Sequence, residues 1–126
     1  MPSILIVDDS ADLIASLIPY FEEAGHEVQS ALNGRDALMM VLSQTPDVML
    51  LDLAMPEMDG PSLVEVISSY LRIQSLPVVV LTGLTDSPMI DRIRALHVNS
   101  ILLKAKATPE EILHAVVEAC SRLPAA

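Results

Sequence analysis

At the centre of the chain lies the sequence VMLLDLAMPEMDG, residues 48–60. Its first four residues are apolar without alternation, which is typical of a strand buried on both faces of a parallel sheet. Asp52 follows directly, and Pro56 and Gly60 then indicate a break in regular structure. Open α/β sheets bind ligands at the carboxyl ends of their strands. Because a buried carboxylate is unfavourable unless it is paired or bound to a metal, Asp52 is the first candidate functional residue.

The rest of the chain repeats this pattern of a strand followed by a helix. Apolar or alternating runs predict four more strands, at residues 4–7, 26–31, 78–81 and 101–103. Helical spacing of apolar residues follows each strand, and the fourth helix is predicted over residues 87–96. Strands that alternate with helices form right-handed βαβ units. We therefore predict an α/β fold with a doubly wound, five-stranded parallel sheet and five helices.

Capping and turn residues indicate where these helices begin and end. Ser10 and Thr108 are the expected N-caps of the first and last helices. The dipeptide Asn33-Gly34 is interpreted as a turn, and the third helix is expected to reach Leu71.

Length and composition are those of one globular domain. The chain has 126 residues, of which 52% are hydrophobic and 19% are charged, and this composition can build a packed core. We expect the domain to span residues 1–122, with the last helix ending near Arg122. Residues 123–126 are expected to be a frayed end or the start of a linker.

Charge, hydropathy and cysteine content indicate the cellular compartment of the domain and the classes of partner that it does not bind. No apolar run reaches the roughly 18 residues of a membrane-spanning helix, and no signal peptide is visible. The single cysteine, Cys120, fits a reducing compartment. A net charge of −10 argues against direct contact with nucleic acid. We therefore expect a cytoplasmic domain that binds neither a membrane nor nucleic acid.

Polar residues follow or end four of the predicted strands. They are Asp8-Asp9 after the first strand, Asp52 after the third, Thr82 after the fourth and Lys104 after the fifth. Each of them alone could be a helix cap or a solvated loop residue. Because the carboxyl ends of parallel strands share one edge of the sheet, we expect the four positions to converge.

The chemistry of this set indicates phosphoryl transfer. Three neighbouring carboxylates repel one another, and Mg²⁺, a divalent cation that prefers oxygen ligands, relieves that repulsion. Asp52 would be the nucleophile, since a carboxylate can form an acyl phosphate. Mg²⁺ and Lys104 would flank the phosphoryl oxygens, and the Thr82 hydroxyl would donate a hydrogen bond to them.

The same residues carry a resemblance to a known family. The chain resembles the receiver domain of bacterial two-component response regulators over essentially its whole length. The resemblance rests on Val7-Asp8-Asp9-Ser10, on residues 51–60, on Leu81-Thr82-Gly83 and on Leu102-Leu103-Lys104. It implies a flavodoxin-like fold with strand order 2-1-3-4-5.

The resemblance also implies a role for each acidic residue. Asp52 would be the phosphoacceptor, and it would coordinate Mg²⁺ together with Asp9 and the main-chain carbonyl of Ala54. Asp8 would act through a metal-bound water. The phosphoryl donor would be a phosphohistidine on a histidine kinase or a histidine phosphotransfer domain, and the output would pass to an effector domain or protein. Such a protein is a switch in a phosphorelay and not an enzyme with a separate substrate.

Thr82 and Lys104 would contact the phosphoryl group in a receiver domain. Family members usually carry an aromatic residue at the position of Ile101, so we expect the switch to work through the Thr82 loop and the fourth helix. They also usually carry a cis proline at the position of Ala105, where a non-proline residue favours a trans bond. Lys106 is a second candidate for the ammonium group.

Two positions tune the hydrolysis of the acyl phosphate in this family, and here they are Ala54 and Leu84. Neither side chain can orient an attacking water, so we expect any autophosphatase activity to be slow.

Two other functions agree with parts of the sequence. A degenerate receiver that acts as a constitutive interaction module would explain Ile101 and Ala105, although the acids, Thr82 and Lys104 are intact. A phosphatase of the haloacid-dehalogenase type also forms an aspartyl phosphate. However, such enzymes usually carry a second aspartate two residues after the nucleophile, where this chain has Ala54.

Overall fold

Strands and helices alternate strictly in the computed structural model, which describes residues 2–70 and 75–121. In chain order the elements are β1 (Ser3–Val7), α1 (Ala11–Glu23), β2 (Glu27–Ala31), α2 (Gly34–Ser43), β3 (Val48–Leu51), α3 (Gly60–Ser68), β4 (Val78–Thr82), α4 (Pro88–Ala95), β5 (Ser100–Leu103) and α5 (Pro109–Ser121). The strands are parallel and lie side by side in the order β2-β1-β3-β4-β5. The predicted doubly wound α/β sheet and its strand order are confirmed.

Helices cover both faces of the sheet. One apolar cluster joins the sheet to α2, α3 and α4, and a second cluster joins it to α1 and α5. Along β1, Leu5 and Val7 belong to the first cluster, whereas Ile4 and Ile6 belong to the second. None of these four side chains is more than 1% exposed. The strand is apolar without alternation because each of its faces packs against helices.

Every helix in the described residues begins next to a side chain that accepts a backbone N–H. These capping residues are Ser10, Asn33, Asp59, Ser87 and Thr108. The predicted caps Ser10 and Thr108 are confirmed, and Glu111 completes a capping box by accepting the N–H of Thr108 at 3.0 Å. Asn33-Gly34 is not an isolated turn, because the Asn33 Oδ1 accepts the N–H of Asp36 at 2.7 Å and α2 begins at Gly34. Asparagine is common in both roles because its side chain can bond nearby backbone groups in either one.

The bounds of α4 agree with the prediction from the sequence. α4 lies within the predicted range 87–96, and the first and last residues of that range are its caps. The predicted continuation of the third helix to Leu71, the end of the fifth helix near Arg122 and the tail 123–126 lie outside the described residues. In the described part of the chain, no helix has the length and apolar composition that a membrane crossing requires.

Candidate functional site

The register of the central strands places Asp8 and Asp52 side by side. Val7 pairs with Leu51, and Leu51 pairs with Val80 on the next strand. The backbone N–H of Asp52 donates to the carbonyl of Val7 at 2.9 Å, so hydrogen bonding between the strands continues up to the carboxylate. Asp8 and Asp52, which are far apart in sequence, therefore follow the ends of adjacent strands at matching positions.

Thr82 and Lys104 reach the same edge from the next two strands. Thr82 ends β4 and pairs with Leu103. Its carbonyl accepts the backbone N–H of Lys104 at 2.9 Å. The Lys104 Nζ lies 3.5 Å from the Oδ2 of Asp52, so the side chain returns across β4 to the end of β3.

Three carboxylates meet at this edge. One oxygen from each of Asp8, Asp9 and Asp52 lies within 4.8 Å of the other two. Asp8 and Asp52 are buried, with 2% and 5% of their surface exposed, whereas Asp9 is exposed. Like charges this close to one another are unfavourable unless cations balance them.

Lys104 supplies part of that balance, and it pairs more closely with Asp8 than with Asp52. Its Nζ lies 2.9 Å from the Asp8 Oδ2, against 3.5 Å for Asp52. The Oδ1 of each carboxylate accepts a backbone N–H at 2.9 Å, from Ser10 in the case of Asp8 and from Leu53 in the case of Asp52. The sequence predicted that Lys104 would reach this site, but it gave no signal for the preference for Asp8.

The crowding of charges changes the pKa values of the site. Burial raises the pKa of Asp52, and the neighbouring charge of Asp8 raises it further, against the opposing effects of Lys104 and of the Leu53 N–H. Burial alone would lower the pKa of Lys104, but its hydrogen bond to Asp8 and the charge of Asp52 outweigh burial and raise that pKa. Lys104 is therefore an ammonium ion at neutral pH, and further positive charge would stabilise the Asp52 carboxylate.

The donor set fits Mg²⁺. Carboxylate oxygens are the hard ligands that this ion prefers, and its sites commonly combine one or two carboxylates with waters and phosphate oxygens. In the described part of the chain, one ammonium group pairs with two of the three carboxylates of the cluster. The cluster therefore keeps a net negative charge that a divalent cation would neutralise.

Thr82 and the loop that follows it link the site to the apolar cluster that includes residues of α4. Thr82 is fully buried, and its Oγ1 accepts the backbone N–H of Leu84 at 3.0 Å. Leu84 and Ile101 are half-buried, and both pack against the apolar cluster that contains Ile90 and Ile93 of α4. The loop after β4 is thus joined to Thr82 by a hydrogen bond and to the apolar cluster shared by α2, α3 and α4 by the packing of Leu84.

The remaining candidates lie around the rim of the site. Ala54 is exposed in the loop after β3. No peptide bond among the described residues is cis, so the bond between Lys104 and Ala105 is trans, as expected. Lys106 is exposed, and the ammonium group that pairs with the two buried acids is that of Lys104. The structure therefore favours Lys104 over Lys106.

Gly60 is a site residue that the sequence indicated only as a break. Its N–H donates to the carbonyl of Leu53 at 2.8 Å. A Cβ atom at this position would lie 2.7 Å from the carbonyl oxygen of Asp52 and 2.9 Å from the Cα of Leu53. The first turn of α3 therefore packs directly on the backbone that carries Asp52, and this close approach is visible only in three dimensions.

The loop between β3 and α3 is also held from the side of α2. A Cβ atom on Gly34 would collide with the carbonyl oxygen of Met58. Within the loop, Glu57 has a left-handed φ of 70°, and the Met58 N–H donates to the Pro56 carbonyl at 2.8 Å. A tight turn of this kind is strained for a residue with a side chain and persists where its surroundings fix it.

Comparisons with known proteins agree with this geometry. Residues 4–117 match the family model of the response regulator receiver domain. The chain is 37% identical over 99 residues to the protein-glutamate methylesterase/protein-glutamine glutaminase of Archaeoglobus fulgidus, which covers 78% of this chain and 28% of that protein. It is 36% identical over 95 residues to the transcriptional regulatory protein PrrA of Mycobacterium tuberculosis, which covers 75% of this chain and 39% of that protein.

A solved structure extends the likeness to the whole fold. The signal receiver domain of a signal transduction histidine kinase from Syntrophus aciditrophicus has a TM-score of 0.89 and 27% identity, covering 100% of this chain and 95% of that chain. The chain thus spans well under half of the two curated relatives, but nearly all of this solved domain. The matched residues 4–117 include the acidic cluster, Thr82 and Lys104. The chain belongs to the response regulator receiver domain family.

Proposed function

We propose that this receiver domain is a phospho-accepting signalling switch in a two-component phosphorelay. Asp52 takes a phosphoryl group from a phosphohistidine of a histidine kinase or a histidine phosphotransfer domain. The observation that carries the proposal is the cluster at the carboxyl ends of β1 and β3, where three carboxylates lie within 4.8 Å and an ammonium group lies 3.5 Å from the Asp52 Oδ2. Such a site offers both a nucleophile and positive charge for the phosphoryl oxygens.

The Oδ2 of Asp52 is the oxygen that we assign as the nucleophile. Oδ1 already accepts the Leu53 N–H, which fixes the orientation of the carboxylate, whereas Oδ2 faces Lys104. In the proposed step, Oδ2 attacks phosphorus and forms the new O–P bond while the P–N bond to the donor histidine breaks. The released imidazole takes up a proton from solvent, and Asp52 becomes an acyl phosphate.

The proposal also assigns Mg²⁺ to the cluster. Asp9, Asp52 and the main-chain carbonyl of Ala54 would hold the ion, and Asp8 would act through a metal-bound water. The bound ion supplies charge neutralisation for the carboxylates and for the phosphoryl oxygens. Lys104 contributes the second positive charge, and its pairing with Asp8 holds the ammonium group beside the position where the phosphoryl group forms.

The switch is proposed to run from Thr82 to α4. In this step, the Thr82 hydroxyl donates a hydrogen bond to a phosphoryl oxygen, and its rearrangement moves the loop after β4. Two contacts support this route, namely the hydrogen bond from the Leu84 N–H to Thr82 and the packing of Leu84 against the core beneath α4. Ile101 packs in the same cluster, so the movement proceeds without the rotation of an aromatic ring.

The acyl phosphate is proposed to be long-lived. Ala54 and Leu84 occupy the two positions that tune hydrolysis in receiver domains, and neither can orient an attacking water. A phosphoryl half-life of seconds at neutral pH, without a partner protein, would contradict this part of the proposal.

The domain is further proposed to act in the cytoplasm, to pass its state to an effector domain or protein, and to have no separate substrate. It would do so without contacting a membrane or nucleic acid itself. The net charge of −10 supports the last point, because an acidic surface is repelled by the phosphate backbone.

Intact mass after incubation with acetyl phosphate and Mg²⁺ tests the central step. The wild type should gain about 80 Da, the mass of one phosphoryl group, and Asp52→Asn should gain nothing. Asp12→Asn makes the same chemical change at an exposed residue of α1 and should be modified like the wild type. An adduct that persists in Asp52→Asn, or no adduct on the wild type, would overturn the proposal. The second of these results would favour the degenerate receiver, whereas turnover of a generic phosphate ester would favour the phosphatase.

A further inference from the structure

Arg92 of α4 contacts the N-cap of α3 and two residues in the first two turns of that helix. Its Nη1 lies 3.4 Å from the Oδ2 of Asp59, and its Nη2 lies 3.2 Å from the Oγ of Ser62 and 2.6 Å from the Oε1 of Glu65. Ser62 and Glu65 belong to α3, and Asp59 is its N-cap. One guanidinium group, outside the acidic cluster, therefore joins the two helices.

The first turn of α3 also contacts the loop between β3 and α3, which begins with Asp52. The two carboxylate oxygens of Asp59 have different partners. Oδ1 accepts the Ser62 N–H at 2.8 Å, and Oδ2 faces Arg92. The next residue, Gly60, packs against the carbonyl of Asp52 with no room for a side chain. Arg92 thus links α4 to the helical turn that rests on the backbone of Asp52.

Apolar contacts anchor α4 at few points. Of its eight residues, Ile90 and Ile93 are buried, whereas α3 buries five of nine residues. Within the described residues, the side-chain hydrogen bonds that join α4 to α3 all come from Arg92. An element with little buried apolar surface has low local stability. A polar contact therefore contributes a larger share to the position of this helix than it would for α3.

We propose that Arg92 is a latch that holds α4 against the N-terminal end of α3 in the unphosphorylated protein. The latch consists of the contacts of Arg92 with Asp59, Ser62 and Glu65. It opposes the displacement of α4 and so sets part of the equilibrium between the resting and signalling arrangements, a consequence that rests on the proposed function. Exposed ion pairs are individually weak, but a bias of a few fold is enough to tune a two-state equilibrium.

Hydrogen exchange of the unphosphorylated protein tests the latch directly. Arg92→Gln removes the charge with little change in helix propensity. Arg94→Gln is the matched control, because Arg94 lies on the same helix and its side chain makes no ion pair or hydrogen bond with the described residues. Amides of α4 should exchange roughly threefold faster in Arg92→Gln, whereas α2 should be unchanged. Equal exchange in Arg92→Gln and Arg94→Gln would overturn the proposal.

A second variant separates the latch from a local effect of residue 92. Glu65→Gln removes one partner from the α3 side and should speed the exchange of α4 amides in the same direction. In the double variant with Arg92→Gln, the two effects should be less than additive because they remove one shared contact. Full additivity would show that Arg92 and Glu65 act independently and would overturn the proposal.

The coupling to the switch is tested by the initial rate of adduct formation with acetyl phosphate and Mg²⁺. If the resting position of α4 opposes phosphorylation, Arg92→Gln should react about threefold faster than the wild type and Arg94→Gln at the wild-type rate. Faster exchange with an unchanged reaction rate would overturn the coupling. If the wild type forms no adduct, the proposed function fails, while the exchange experiment still decides whether the latch exists.

Discussion

Replacing Gly60 with alanine would test how closely α3 is packed against the backbone of Asp52. The new Cβ would lie 2.7 Å from the carbonyl oxygen of Asp52, 2.9 Å from the Cα of Leu53 and 3.0 Å from the Leu53 Cδ2. Ordinary van der Waals contact begins at 3.4 Å, so the first two distances are short by 0.7 Å and 0.5 Å. Both of these neighbours are backbone atoms, and they cannot yield unless the loop or the helix moves.

The change in the free energy of unfolding caused by Gly60→Ala is the sum of two opposing contributions. Overpacking at a buried position typically costs about 1–3 kcal/mol. Alanine regains up to about 1 kcal/mol of helix propensity relative to glycine, and less at the first residue of a helix such as α3. We therefore expect Gly60→Ala to lower the free energy of unfolding by about 1–2 kcal/mol. With a typical urea dependence for a small domain, the midpoint should fall by roughly 0.5–1 M.

Urea titration followed by circular dichroism measures this change, and Gly83→Ala is the matched control. A Cβ on Gly83 would meet no atom within 4 Å, so the same substitution there should leave the stability unchanged or raise it by a few tenths of a kcal/mol. Since the Asp52 carbonyl must move in Gly60→Ala, the initial rate of phosphorylation by acetyl phosphate should be lower in that variant than in the wild type. If Gly60→Ala proves as stable as Gly83→Ala, the packing argument is wrong.

Other predictions concern a cap, a strained residue and the acidic cluster. Asp59→Ala should cost about 1 kcal/mol at pH 7 because it removes the N-cap of α3. Burial tends to raise the pKa of Asp59, but hydrogen bonds from Ser62 and the charge of Arg92 hold it below its usual value. The contribution of the carboxylate is therefore complete above about pH 4 and is lost as the pH falls through the lowered pKa, so the difference from the wild type should shrink at pH 3 in urea titrations. His97→Gly should stabilise the protein by about 0.5–1 kcal/mol, because His97 is exposed with a φ of 57°; a melting temperature that does not rise by roughly 2–4 °C would contradict this. In metal-free buffer, Asp52→Asn should be more stable than the wild type by roughly 0.5–2 kcal/mol, because it removes a buried charge that faces two other carboxylates; equal melting temperatures in calorimetry would show that the lysine already balances that charge.

The fold and the grouping of the site residues could be predicted because both depend on local patterns in the chain. Unbroken apolar runs at residues 4–7, 48–51 and 78–81 indicate strands that are covered on both faces, and the structure buries them between two layers of helices. Parallel pairing then brings the ends of adjacent strands to one edge of the sheet. The residues that follow two of these runs, Asp8 and Asp52, are therefore neighbours in the structure.

A choice between chemically equivalent partners could not be predicted in this way. The sequence predicts Lys104 close to Asp52, yet its ammonium group lies 2.9 Å from Asp8 and 3.5 Å from Asp52. Asn33 was interpreted as a turn residue and instead caps α2. In both cases the residue type permits either arrangement, and the sequence pattern alone does not select one of them.

The contacts of Arg92 illustrate a different limit of sequence reasoning. Because β3 and β4 are adjacent, the topology predicts that α3 and α4 are neighbours. Which side chains meet depends on where α4 lies along α3, and the sequence pattern does not determine that position. Two residues of α4, both isoleucines, are buried. The same property makes the contact suitable for regulation. Two buried residues position α4 in its core, and we propose that both the guanidinium group of Arg92 and a phosphoryl group acting through Thr82 shift this helix.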